Sequence, residues 1–362
     1  MPRIDPASLK EQIFAWGLDL GFQQLGVSDI DLALAEQRLH AWLAAGFQGE
    51  MNYMSLHGNL RTRPAELVPG AIRVISARMD YLPEAKAVIE ERLQEPGSAF
   101  ISRYALGRDY HKLMRNRLQA LSRRIEALIG AFGYRVFTDS APVMEKPLAE
   151  KAGLGWMGKH TNLINRRAGS FFFLGEIYTD LPLPVDASVA NHCGSCQACI
   201  DICPTRAIVA PYRLDARRCI AYLTIELHGS IPEIFRKPMG NRIYGCDDCQ
   251  LVCPWNRYAQ ITREADFLPR HRLDKADLLS LFAWDEAEFL QKTEGSAIRR
   301  LGHERWLRNL AVAMGNAPHS PEFKAALYSR LDHPSDLVRE HVLWALEQQT
   351  GSAGPLGALP AC

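Results

Sequence analysis

Eight cysteines fall between Cys193 and Cys253, and the ninth, Cys362, is the last residue of the 362. That density dictates what the segment is for. The N-terminal residues MPRIDPASLKEQ carry neither an apolar signal core nor a twin-arginine pair, and no apolar run reaches the roughly 18 residues of a membrane span. The chain is therefore expected in the cytoplasm and off the membrane, where clustered thiols bind metal more often than they form disulfides. The run Cys193-x2-Cys196-x2-Cys199-x3-Cys203-Pro204 has the spacing with which bacterial ferredoxins hold three corners of a [4Fe–4S] cube, while the fourth Cys serves a second cluster. The second cluster has its own half-motif, Cys246-x2-Cys249-x3-Cys253-Pro254, but its expected first member is Ile243. Apart from the terminal residue, Cys219 is the one cysteine left over. Cys193, Cys196, Cys199 and Cys253 are thus expected around one cube, and Cys203, Cys219, Cys246 and Cys249 around the other. The alternative is two zinc sites, which favour paired CxxC motifs over a crossed run of this kind.

Two cubes in one module pass single electrons, so a reactive centre is expected elsewhere in the chain. Length and a hydrophobic content of 47% suit two or three globular domains, and 42 Lys+Arg against 41 Asp+Glu exclude a globally basic nucleic-acid binder. Residues 1–60 read as helical, with a capping box at Ser8 and Glu11 and a second helix over 32–45. A strand is expected over 72–79, a long helix over 109–132, a strand over 134–138 and a short helix over 147–153. A β-hairpin is expected from 161–165 and 171–179 around Gly169. These elements make an α+β protein whose first domain, 1–185, is of mixed α/β type. The two-[4Fe–4S] ferredoxin-like module takes 186–262 and HEAT-like α-helical repeats take 263–350, with HPSDLVREHVLWAL as the repeat word. The tail, 351–362, is expected to be loose. Gly153-x-Gly155-x-x-Gly158 follows a helix and precedes a strand, the wrong order for a dinucleotide fingerprint, so it reads as a tight loop against a ligand.

Six stretches together, RTRPAELVPGA (61–71), SRYALGRDYHK (102–112), FTDSAPVMEKPLAEKAGLGWMGKHT (137–161), the first cysteine run, LDARRCIAYLT (214–224) and GNRIYGCDDCQLVCPWN (240–256), resemble the epoxyqueuosine reductases. The resemblance spans about residues 1–350. It implies cobalamin as reactive centre in the first domain, reduction of an epoxide to an alkene in the anticodon loop of tRNA, and an external low-potential electron donor. It also implies Asp139, after the strand YRVFT, as the catalytic acid, with a carboxyl kept protonated by a raised pKa. The competing role for Asp139 is an N-cap of the next turn. Arg61, Ser102, Tyr104, Asp139, Lys159, His160 and Leu163 are the expected cobalamin contacts. Asp109-Tyr-His111-Lys-Leu-Met114 lacks the glycine of a DxHxxG cobalamin motif, so His111 reads as a helix-face residue.

For tRNA, Arg300, Arg305 and Arg308 are the expected phosphate contacts. A second basic stretch has seven Lys/Arg against three Asp/Glu between Thr205 and Arg242. The protein is expected to be a monomer. A reductive dehalogenase acting on a small molecule and a plain ferredoxin-type electron carrier are the alternatives.

Overall fold

The structure, a computed structural model, describes residues 4–351; Cys362 and nearly all of the expected tail lie outside them. Its first domain is organised by a four-stranded sheet of β1 (Gln24–Ser28), β2 (Arg73–Asp80), β3 (Tyr134–Phe137) and β4 (Phe172–Thr179) in the order β1-β2-β4-β3. All neighbours are antiparallel. β2 and β4 are central and almost wholly buried, which explains their near-continuous β-branched and aromatic sequence.

One face of the sheet packs on α1 (Pro6–Asp19) and, beyond α2 (Ala33–Ala44), on the long α3 (Tyr110–Ile129) through Ile13, Ile75, Ala77, Met114, Leu118, Leu121 and Ile177. The other face lies under α4 (Glu145–Lys151), with Val74, Phe137, Leu148 and Tyr178 in one cluster and Ala149, Leu154, Phe172 and Leu174 in the next.

Several local expectations shift. Asp5, not Ser8, caps α1: its carboxylate accepts from the backbone N–H groups of Ala7 and Ser8, and Pro6 occupies the first helical position. Residues 1–60 contain strand β1 as well as helices. α3 ends at Gly130 rather than Gly133. The expected hairpin shrinks to one antiparallel bridge, Asn165 with Gly169, because Leu163–Ile164 pairs with Trp156–Met157 while β4 pairs with β2 and β3. That small pairing explains the glycine run. A Cβ on Gly155 would sit 2.2 Å from the Ile164 carbonyl oxygen, so the close approach is to backbone.

The cysteine segment contributes short helices at Ala198–Asp201 and Asp248–Leu251 and a strand at Arg242–Tyr244, which pairs in parallel with Phe100–Ile101 of the first domain. Beyond it, α5 (His303–Asn316), α6 (Pro321–Tyr328) and α7 (Asp336–Thr350) stack on one another. A Cβ on Gly315 would meet the Trp344 ring at 2.6 Å, which sets how closely α5 and α7 approach. One apolar core runs through Ala105, Leu223, Ile243, Leu278, Trp306 and Val342, so the change in sequence character near residue 263 is not a break in the core.

Candidate active site

A cavity of about 390 Å³ opens between the sheet domain and the cysteine segment. Cys203, Cys219, Cys246 and Cys249 line one wall; Tyr81, Tyr104, Tyr110, Phe172, Phe173 and Leu174 line much of the rest, with Glu145, Lys146 and His160 among them. The other four thiols, Cys193, Cys196, Cys199 and Cys253, surround a smaller cavity of about 40 Å³. The fold therefore sorts the eight cysteines into the two sets expected from spacing. Burial is the main cause that pushes the Cys199 thiol up to about 11, with Cys253, Cys193 and Cys196 adding to it. Thiols so close together cannot all ionise without a positive centre among them. Burial likewise raises Cys219 and Cys249, with Cys203 contributing to both.

At the rim of the larger cavity the end of β3 meets the start of α3. Tyr110 Oη donates to Asp139 Oδ2 at 2.7 Å, and His111 Nε2 lies 3.3 Å from the same oxygen. His111 Nδ1 faces Asp109 Oδ1 at 2.5 Å, which fixes the ring between two carboxylates. Burial alone would depress the imidazole, but its hydrogen bonds to Asp109 and Asp139 hold it up at about 9. Burial would raise Asp139, yet the hydrogen bonds from His111 and Tyr110 outweigh it and keep the carboxyl below its ordinary range. The expectation of a protonated Asp139 is thereby corrected: the resting proton sits on His111, and Asp139 is its half-exposed carboxylate partner. His111 is no mere helix-face residue. Stacking of Tyr110 on Phe173 at 3.8 Å and on His111 at 4.3 Å makes the group rigid.

Asp139 occupies the left-handed region at φ 46°, and its backbone N–H donates to Glu145 Oε1 at 2.6 Å. Its carboxylate serves Tyr110 and His111 and not the turn at 140–142, where the Ser140 N–H donates to the Thr138 carbonyl. Burial, then the Asp139 charge, pushes Glu145 up to about 8. Behind it stands Glu176, fully buried on β4, whose oxygens receive no hydrogen bond from any N–H or O–H around them. Burial and then Glu145 raise its carboxyl well above the usual range. Neither glutamate stood out on sequence reasoning, although a glutamate inside the apolar word FFFLGEIYT is a signal of a buried functional carboxyl.

The expected cofactor contacts divide. Tyr104, Leu163, His160 and Ser102 line the large cavity. His160 Nδ1 accepts from Asn162 N at 3.1 Å, while its buried Nε2 has no partner; burial, with Lys146 next, lowers its pKa to about 4, so the ring is neutral. Ser102 Oγ donates to Asp247 Oδ1 at 2.5 Å. Arg61 is buried; one amino group donates to the Tyr53 carbonyl at 3.0 Å and its Nε has no partner. The Lys159 side chain is a correction. Its ammonium donates to the carbonyls of Gly194 and Cys196, both at 2.8 Å, and so braces the loop of the first cysteine set instead of facing the large cavity.

The three tail arginines also part ways. Arg308 is 0% exposed and donates to the carbonyls of Leu223, Leu227 and Gly229 and to Asn309, which makes it a structural pin and not a phosphate contact. Arg305 spends its guanidinium on the carbonyls of Ile225, Arg300 and Leu301. Arg300 keeps half its side chain exposed, 3.7 Å from Glu226. Its charge is felt at Tyr104, Asp109 and Asp139, which places it on the active-site side of the tail.

Residues 192–256 match the family described as "4Fe-4S double cluster binding domain", and residues 61–140 match "Epoxyqueuosine reductase QueG". The epoxyqueuosine reductase of Pseudomonas aeruginosa is 60% identical over 345 residues, 95% of each chain. That of Escherichia coli is 59% identical over 347 residues, 96% of this chain and 91% of its own. Among solved structures, an epoxyqueuosine reductase crystallised with an epoxyqueuosine-modified tRNA-Tyr stem loop has a TM-score of 0.87 at 26% identity, covering 95% of this chain and 91% of that one. A Bacillus subtilis epoxyqueuosine reductase whose aspartate-bearing catalytic loop is swung out of the active site has a TM-score of 0.86 at 27% identity, with the same coverage.

Proposed function

Because the chain belongs to the epoxyqueuosine reductase family, we propose that it converts epoxyqueuosine to queuosine in the anticodon loop of tRNA at the cavity between Asp139 and the inner cysteines. The observation that carries this reading is the facing of two walls across one cavity. Tyr110, which donates to Asp139, and Glu145, which accepts from its backbone N–H, line the same cavity as the four thiols.

The chain carries an iron–sulfur double-cluster segment. Its chemistry fits the thiol sets, since four soft ligands gather at each of two cavities. We assign Cys193, Cys196, Cys199 and Cys253 to the outer cluster and Cys203, Cys219, Cys246 and Cys249 to the inner one. Cys196 is exposed and the inner set borders the cavity, so electrons from an external low-potential donor enter at the outer cluster and leave at the inner.

A cobalamin also fits the residues present. The cavity offers broad aromatic and aliphatic walls, and the unpartnered buried N–H of His160 on them suits the amide rim of a corrinoid, while the unpartnered Nε–H of Arg61 lies outside that lining. Tyr104, Ser102, His160 and Leu163 would hold it, Leu163 through its backbone. When bound, it supplies the reducing cobalt centre. The remaining steps belong to side chains. The stacked aromatics exclude water from the reacting carbon–oxygen bond. Asp139 passes a proton from His111 to the departing oxygen, with Tyr110 steering the carboxylate. The sheet domain (1–185) thus carries the chemistry and 186–262 the electrons. The HEAT-like helices of 263–350, with Arg300 at their inner edge, hold the tRNA stem. An unpaired anticodon base enters such a pocket at low cost. The enzyme works as a cytoplasmic monomer.

The test is anaerobic reconstitution with iron, sulfide and cobalamin, followed by mass analysis of an epoxyqueuosine-containing stem loop. Loss of one oxygen atom is expected. Intact substrate from a fully loaded protein would reject the reading.

A further inference from the structure

Removing an epoxide oxygen as water consumes two electrons and two protons: both carbon–oxygen bonds break, the carbons join by a second bond, and the oxygen leaves as H2O. The clusters relay the electrons from the external donor. The His111–Asp139 pair holds one proton, so a second donor at the cavity is required. This inference rests on the reading above.

We propose that Glu145 is that second donor, and that Glu176 is a positioning residue that holds Glu145 from behind by a hydrogen bond between the two carboxyls. Three observations meet at this pair. Glu145 lines the cavity and is tied to the backbone of Asp139, so its carboxyl stands beside the first donor. Glu176 lies directly across from Ser76 in the β2–β4 register, 0% exposed, on the sheet face covered by α4. Neither of its oxygens receives a hydrogen bond from an N–H or O–H, and the hydroxyls of Ser76, opposite it, and of Tyr178 are buried and unpartnered as well. A carboxylate enclosed in that way is costly, whereas a carboxylic acid is not. A neutral Glu176 has an O–H to give, and Glu145 is the acceptor it faces.

Burial and the Asp139 charge hold the proton on Glu145 against the pull of the neighbouring cation Lys146. Asp139, Tyr110, Tyr178 and Glu176 favour its protonated form or are themselves neutral, while Lys146 and Arg61 are the cations within reach. The hydrogen bond from Glu176 works against the burial of Glu145 and keeps its proton transferable near neutrality.

The experiment compares reconstituted wild type with Glu145→Gln, Glu176→Gln and Glu176→Met. Gln at 145 still accepts the Asp139 N–H but carries no proton. It is expected to lower kcat about 100-fold, with the tRNA KM and cluster spectra unchanged. In wild type kcat falls above about pH 8 and again above about 9, because each donor works only while protonated. Glu145→Gln should erase the first limb alone. Infrared titration adds a readout independent of turnover: a protonated-carboxyl band lost with a midpoint near 8 in wild type and missing in Glu145→Gln. Glu176→Met removes the backing hydrogen bond and should move that midpoint upward, and Glu176→Gln, which can still donate, should restore it. If Glu145→Gln retains wild-type kcat or the limb near pH 8, the donor role falls. If neither Glu176 variant moves the midpoint, its positioning role falls. Failure of wild type to deoxygenate the stem loop would instead strike the function itself.

Discussion

The two walls of the cavity are built on opposite principles. The cysteine wall is local: seven of the eight thiols of its segment come from two short runs, and each has one chemical use. The acid wall is assembled from afar. Asp109, Tyr110 and His111 start one helix, Asp139 ends a strand, Glu145 starts another helix, and Glu176 lies in the middle of β4. Local spacing foretells most of which thiols come together, while only tertiary contact fixes which carboxyl is charged. The difference teaches that metal ligation survives as a pattern in one dimension and proton placement does not.

The comparison can be broken first at the cysteines. Cys219→Ser should abolish turnover and lower bound iron from about eight to about four atoms per chain, with the outer cluster's spectrum retained. Loss of all iron would mean that the two sets are not separate sites. Asp139→Asn comes next, with a fall in kcat of about 10²–10⁴-fold and unchanged clusters, because the amide fits the same bonds but delivers no proton. Near-normal turnover would remove Asp139 from the chemistry.

His111 sharpens the acid wall. Its folded pKa of about 9 exceeds the ordinary imidazole value, so its stabilising pairing is fully present below pH 6.5 and lost as pH rises through 9. The urea midpoint of wild type should therefore fall over that window more steeply than that of His111→Gln; parallel curves would show that the pairing contributes nothing. The smallest effect belongs to Arg300→Ala: a several-fold rise in tRNA KM and a salt slope shallower by about one unit or less. Arg308→Ala is its contrast, expected to lower thermal stability, because it removes a fully buried guanidinium that ties together the carbonyls of Leu223, Leu227 and Gly229. A specific binding defect in a stably folded Arg308→Ala would overturn that division.

The cysteine sets, the strands β2 and β3, the long helix and the helical tail were legible because each follows from spacing or periodicity within one segment. The hairpin expected around Gly169 was not, since β4 finds its partners about 40 and 100 residues away. Asp139 was placed by resemblance, but its charge was misjudged, because the hydrogen bonds that lower its pKa come from a helix that begins 29 residues earlier in sequence. Lys159, Arg305 and Arg308 show the same limit for cations. A basic side chain reads as a ligand contact until the carbonyls that occupy it are seen.

Asp139 sits at φ 46°, a backbone region that side chains with a Cβ enter at a cost of order 1 kcal/mol or more. Glycine enters it freely, so above about pH 9, where the His111 pairing no longer contributes, Asp139→Gly should fold about as well while losing the reaction. A library screened for heat resistance alone at such alkaline pH would therefore drift toward glycine here and enrich inactive clones. Thermostable versions of this enzyme have to be selected with turnover in the screen, because position 139 sets resilience against activity.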